Sequence, residues 1–417
     1  MKSGDKVLID TVDKKIEGIV MPNTTKDKLV IKLETGYNIG IDQKKIKSTK
    51  VLQEYKEKKI TKPKVQHSKS KKTISILHTG GTVASKVDYE TGGVSAHFEP
   101  EDLVEMFPEL EKIANIKTEL IDNLMSEDMM FSHYTKILYF IKKHSKSDGI
   151  IITQGTDTLT YTAAALAFAL EEVNIPILIV GSQRSSDRGS SDAAMNLICA
   201  AEYITKSDFK GVAICMHNSE SDDTCAILPA TKTRKMHTSR RDAFKPINDT
   251  PIAIIDYESR KIQQIKPLKK EEKFTIKDKF EPQVAILKTH PNMDPKIFEF
   301  FTKTYKAIII EGTGLGHAPT NLGKENLKNY ETLKKYIKNG GVVAITSQCL
   351  YGRVHPYIYS NLRRLKEIGC IFCEDMLPET TLIKLSWLLG NYPDKTKQLL
   401  TKNLKEEINE RLGTEFL

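Results

Sequence analysis

Two short polar loops, each following an apolar run, carry residue types from which a hydrolytic site can be built. In ILHTGGTVAS, Ile76 and Leu77 run into Thr79, Gly80, Gly81 and Thr82. In GIIITQGTDTLT, Ile150 to Ile152 run into Gly155, Thr156, Asp157 and Thr158. A hydroxyl at the carboxyl end of a strand sits where open α/β sheets hold their ligands. A neighbouring glycine lets the backbone approach a substrate and aim N–H groups at a developing oxyanion. A threonine hydroxyl is a useful nucleophile only when a base takes its proton or a neighbour lowers its pKa. Asp157, beside Thr156, is one candidate helper. Thr and Asp are also favoured helix N-caps, and spacing alone leaves both readings open. Lysine serves as a base only when burial or charge lowers its pKa. Lys232, set among the threonines of ILPATKTRKMHTSRRDAF, is the candidate, against the plainer reading of a basic surface loop.

The elements that must position these loops follow from apolar patterning. ISILHT, GIIITQ, IPILIVGS, GVAICMHN and PIAIIDY are near-continuous apolar runs, as parallel strands covered on both faces would be. Helix-like stretches, residues 158–173 and 191–205, alternate with them, which predicts βαβ units in residues 73–266. A charged break over 267–282 precedes a second unit in 283–417, with VAILKT, KAIIIEGT and GVVAITSQ as strands and a charged helix over 393–411 at its end. Residues 1–55 differ: GDKVLIDTV, KIEGIVMPN, KLVIKLETG and YNIGIDQKKI alternate and break at turn residues, predicting a small β-barrel used for binding. A lysine-rich linker, 56–72, follows it.

Composition sets bounds. With 417 residues the chain exceeds one core, and its 39% hydrophobic and 28% charged residues are those of a globular protein. No apolar run reaches the ~20 residues of a membrane span, and MKSGDKVLID lacks a signal-peptide core, so no membrane association and a cytoplasmic site are expected. Six cysteines without a disulfide framework agree with a reducing compartment. The net charge of +9 permits contact with RNA without demonstrating it. Cys370 and Cys373 form a lone C-x-x-C, read as ordinary thiols. EGTGLGHAP lacks the full dinucleotide-loop pattern.

TGGTVAS, QGTDTLTYTA, GSQRSSDRGSSDAAMNL and TKTRKMHTSRRDAF, in this order, resemble the bacterial-type L-asparaginase/glutaminase family over about residues 73–400. The resemblance implies a two-domain asparaginase-like α/β fold and hydrolysis of a side-chain carboxamide through a threonine acyl-enzyme, with no metal. It implies Thr82 as nucleophile, with Thr156, Asp157 and Lys232 as a proton relay. Gly81 and Ser126 match substrate-binding positions, Ser126 for the α-carboxylate. Tyr89 resembles a lid tyrosine within the glycine-rich stretch 85–97. Glu127 stands where several relatives have glutamine, a departure that touches the substrate's ammonium end.

The N-terminal module (GDKVLI, EGIVMP, GYNIGI) with its lysine linker is similar to that of the GatD subunits of archaeal glutamyl-tRNA(Gln) amidotransferases. That family implies glutamine or asparagine hydrolysis delivering ammonia to a partner, the kinase and transamidase GatE of the same amidotransferase. The partner would use ATP and Mg²⁺ to amidate Glu-tRNA(Gln), holding the tRNA mainly itself. No cofactor is implied in this chain, which would be a homodimer within a heterotetramer. The alternatives are a free cytoplasmic L-asparaginase whose barrel serves another role, and a non-catalytic RNA-binding scaffold.

Overall fold

A computed structural model of the chain describes residues 1–21, 27–34, 38–55, 68–81, 86–87, 94–95, 106–184, 190–269 and 272–413. Residues 1–55 form five antiparallel strands in the order Asn38–Asp42, Lys28–Lys32, Lys15–Val20, Lys6–Thr11, Ile46–Gln53. Val7, Ile9, Leu29 and Ile31 bury one face into a small core of their own. Among the described residues nothing pairs the two edge strands, so the barrel expected from the sequence is an open sheet. The cause is legible in the last strand: beyond half-buried Ile46, every residue of Ile46–Gln53 is exposed, so it offers no buried row to roll over the core.

Residues 73–266 are built on an eight-stranded sheet. Five of its strands are parallel, in the spatial order Asn115–Leu120, Thr73–His78, Gly149–Thr153, Pro176–Val180, Gly211–His217. In chain order this reads 2-1-3-4-5. The order reverses between Thr73–His78 and Gly149–Thr153, and the crevice at such a switch point is where doubly wound sheets bind ligands. His78 pairs with Thr153, so both polar loops leave the sheet at one level.

Alternate residues of each strand enter different cores, which is why the runs are apolar throughout. Leu77, Ile150, Ile152 and Ile179 pack with helices Phe131–Lys143 and Leu159–Ala169. Ile76, Ile151, Leu178 and Val180 pack with helix Ala193–Lys206 on the other face.

The sheet departs from the all-parallel reading beyond Gly211–His217. PIAIIDY contributes Ala253–Asp256, but this strand runs antiparallel to Thr224–Pro229, a strand the apolar runs did not single out. The short link from His217 to Thr224 leaves no room for a crossover helix, so the chain must turn back as a hairpin.

A second sheet, Val284–Lys288, Ala307–Gly312, Val342–Ser347 and Ile371–Phe372, is parallel throughout. Helix Pro378–Asn391 docks it on the first unit, with Trp387 stacked on Phe168 at 5.8 Å between ring centroids. The charged helix expected over 393–411 is absent: regular structure stops with the short helix Thr396–Leu399. The fully buried Lys384 donates to the carbonyls of Leu400 (2.9 Å) and Lys402 (2.5 Å), the acceptors a continuing helix would need. No helix among the described residues is long and apolar enough to cross a membrane.

Candidate active site

Three loops converge at the switch point: 79–81, 121–128 and 154–158. The Thr79 N–H and hydroxyl both donate to the Thr153 carbonyl at 3.0 Å, locking the first loop to the third. Leu124 N–H donates to the Thr79 carbonyl at 3.0 Å, bringing in the second. The fit is backbone on backbone. A Cβ on Gly81 would lie 2.2 Å from Gly155 N, and Gly81 holds φ +84°, a conformation costly for other residues. A Cβ on Gly155 would lie 2.9 Å from Ser126 Oγ. Gly81→Ala is therefore expected to force the threonine loops apart. Activity should drop more than tenfold, with about 1–2 kcal/mol lost to the left-handed backbone alone; steady-state rates and thermal unfolding check both.

Ser126 is buried at the start of the single turn Ser126–Asp128. Its hydroxyl accepts from Asp157 N–H at 3.2 Å, and its carbonyl accepts from the Thr158 hydroxyl at 2.6 Å. Glu127 follows it and is exposed. Thr156 is buried, its methyl facing Gly181. Gly181 opens the GSQR turn, which Asp192 holds: its carboxylate accepts from Ser182 Oγ (2.9 Å) and from the N–H groups of Gln183 and Arg184 (3.0 Å each). The Asp157 side chain is 67% exposed. Neither Thr156 nor Asp157 caps the following helix, whose N-cap is Thr158.

The lysine at these groups is Lys235, not Lys232. Lys235 Nζ donates to Thr156 Oγ1 at 2.8 Å and to Asp157 Oδ1 at 2.7 Å, and only 15% of its side chain is exposed. Lys232 is fully buried and bonds the Asp375 carboxylate and, at 3.4 Å, the Asp375 carbonyl. Strand alternation separates the two. Lys232 and Arg234 point to the C-terminal half, Arg234 toward Glu379 at 3.6 Å, whereas Lys235 points to the threonine loop. Burial lowers the Lys232 pKa against the opposing pull of Asp375. A sequence signal did exist: Lys232 continues the apolar run ILPAT, while Lys235 opens the polar run KMHTSRRD that can reach a substrate.

Thr82 and Tyr89 lie outside the described residues, as do most of residues 85–97; Lys86–Val87 and Val94–Ser95, which flank Tyr89, pair antiparallel. Thr82 directly follows Gly81 in the sequence. Cys370 and Cys373 are buried free thiols that burial pushes up to about 12. Among the described residues no group of His, Cys, Asp or Glu is arranged to hold a metal.

Beneath the loops, His78 Nδ1 meets Thr153 Oγ1 at 2.5 Å, and burial drives the imidazole down to about 4. The unfolded chain takes up this proton near 6.5, so stability falls as pH drops from 6.5 to 4. The His78 contribution should amount to about 3 kcal/mol. The stability difference between wild type and His78→Asn, measured at pH 7 and pH 4, is expected to shrink by that amount.

Comparison with known proteins agrees with this geometry. The family "Asparaginase, N-terminal" matches residues 73–268, "Glutaminase/Asparaginase C-terminal domain" matches 283–399, and "GatD N-terminal domain" matches 1–52. The GatD chain of the glutamyl-tRNA(Gln) amidotransferase from Methanococcus maripaludis is 43% identical over 426 residues, covering 100% of both chains. The protein of the same name from Pyrococcus furiosus is 45% identical over 405 residues, covering 94% of this chain and 90% of its own. Among solved structures, the L-asparaginase of Thermococcus kodakarensis superposes with TM-score 0.73 at 28% identity, covering 81% of this chain and 100% of its own. L-asparaginase I of Vibrio cholerae gives 0.70 at 25%, covering 81% and 99%. An asparaginase-like catalytic region behind a GatD N-terminal domain, matched end to end, places the chain in the GatD family of glutamyl-tRNA(Gln) amidotransferase subunits.

Proposed function

We propose that this chain is the ammonia-producing subunit of the amidotransferase that converts Glu-tRNA(Gln) to Gln-tRNA(Gln), hydrolysing glutamine or asparagine through a threonine acyl-enzyme. The observation that carries the reading is Lys235 Nζ bridging Thr156 and Asp157 beside the Gly81 loop. Thr82 Oγ attacks the side-chain carbonyl carbon while its proton leaves through the Thr156–Lys235 pair, which Asp157 orients. The C–N bond breaks, the nitrogen takes a proton and departs as ammonia, and an ester on Thr82 remains. Water then cleaves the ester, giving the free carboxylic acid and regenerating the hydroxyl. Backbone N–H groups at Gly81 and the 154–158 loop suit the oxyanion. Ser126 holds the α-carboxylate, Asp157 and Glu127 face the α-ammonium, and Tyr89 closes over the substrate.

The ammonia is consumed by the partner GatE, where ATP and Mg²⁺ activate the glutamyl carboxylate. The N-terminal sheet is the natural docking module for that partner, since the matched free asparaginases cover only 81% of the chain. Two copies of this chain and two of the partner would form the assembly, in the cytoplasm. The test is ammonia release from glutamine and asparagine, with and without the partner and glutamylated tRNA. Release accelerated by the loaded partner supports this function. Fast asparagine hydrolysis indifferent to the partner would make the chain a free asparaginase.

A further inference from the structure

The match to the asparaginase C-terminal domain stops at residue 399, yet the residues that follow, to Glu410, are tied back to the body of the chain by side-chain hydrogen bonds. Lys384 and Glu407, both fully buried, pair at 2.5 Å, and Glu407 accepts from the N–H groups of Leu404 (3.0 Å) and Lys405 (2.6 Å). Arg353 bonds the Asn409 carbonyl at 2.5 Å. This segment bonds Thr231 and Asn248, the residues flanking the hairpin of Thr233–Lys235 and Phe244–Pro246 that carries Lys235.

Its contacts fall on both arms at the hairpin base. On the incoming arm, the Thr231 hydroxyl donates to the Lys405 carbonyl at 2.8 Å, and Lys232 enters the Asp375 carboxylate. Asn409 donates to that same carboxylate twice, from N (3.0 Å) and Nδ2 (2.9 Å). On the outgoing arm, Asn409 Nδ2 donates to the Asn248 carbonyl at 2.6 Å. Between the arms, Ile247 N–H donates to the Lys232 carbonyl at 2.8 Å. One asparagine thus joins the partner of Lys232 to Asn248, two residues beyond the facing strand.

We propose that Asp375 and Asn409 clip the base of this hairpin, making residues 400–410 a strap that positions Lys235 against Thr156 and Asp157. Lys235 lies three residues beyond Lys232, about 10 Å along an extended chain. A small rotation at the base therefore swings Nζ out of reach of both partners. Misplacement of a reacting group by about 1 Å can cost on the order of 100-fold in rate. Asn409, Asp375 and Thr231 act through Lys235 and touch no substrate. The inference rests on the proposed role of Lys235.

The experiment uses the full chain and ammonia release from glutamine. Asn409→Ala should lower kcat about tenfold with KM within about twofold, a loss well inside that bound. It should also displace the acidic limb of the kcat–pH profile, which a loss of folded protein alone would not move. Thr231→Val, a milder removal of one hydrogen bond, should show the same split to a lesser degree and keeps the test open if Asn409→Ala does not fold. Wild-type kcat and pH profile in folded Asn409→Ala or Thr231→Val, with only a lowered Tm, would overturn the proposal. Lys235→Met run beside them separates the layers. If it is inactive while the strap variants are normal, the strap alone is refuted; if it is active, the underlying role of Lys235 falls and the strap with it.

Discussion

Lys235→Met should lower kcat for amide hydrolysis by roughly 10²–10⁴-fold, the range associated with one positioned proton-transfer group. Its Nζ is within hydrogen-bond reach of the Thr156 hydroxyl and the Asp157 carboxylate, and no other lysine among the described residues bonds either. Methionine keeps the length of the stem and removes the group that exchanges protons. KM should change far less, because Lys235 bonds Thr156 and Asp157, the proposed relay, and is given no contact with the substrate's ends. Lys235→Arg should be nearly as inactive: guanidinium stays protonated and cannot cycle as a base. Steady-state ammonia release over a range of glutamine concentrations checks both. A loss under tenfold would remove Lys235 from the relay.

Lys232→Met is expected to act first on stability, lowering it by about 3–5 kcal/mol. Lys232 and Asp375 are both fully buried, so removing the ammonium strands a carboxylate left, among the described residues, with Asn409 as its one donor. Replacing both partners should do less harm than replacing one, since a buried pair exchanged for apolar groups is often neutral. Lys232→Met/Asp375→Leu should therefore recover a good part of the loss, although the clip on the hairpin is gone. Thermal unfolding of the single and double variants reads this out. Equal stability of wild type and Lys232→Met would show that the pair is not held as the structure has it.

These two lysines mark how far the sequence could be read. Glycine and threonine after apolar runs identified the loops, because a strand end and a tight backbone approach leave local signs at Gly81 and Gly155. Lys232 and Lys235 stand in one stretch; the apolar run before Lys232 is a weak local sign, and their distant partners decide which of them meets the threonine loop. Asp375 and Glu379, on one side, come from the C-terminal unit; Thr156 and Asp157, on the other, precede the hairpin by some eighty residues. Long-range pairing also set the 2-1-3-4-5 strand order and the reversed direction of Ala253–Asp256. In the tail, the charged stretch 393–411 reads as a helix, but the buried Lys384 takes the carbonyls of Leu400 and Lys402 instead. The N-terminal strands were legible from alternation, whereas closure into a barrel depends on how Ile46–Gln53 is covered.

In the proposed mechanism a glutamyl ester forms on Thr82 when ammonia leaves. Rapid acid quench of the enzyme turning over glutamine, followed by mass spectrometry of its peptides, tests it most directly. A single glutamyl adduct is expected on the peptide containing Thr82, absent from Thr82→Ala and depleted in Lys235→Met. An adduct on another residue, or ammonia release by Thr82→Ala at the wild-type rate, would contradict it.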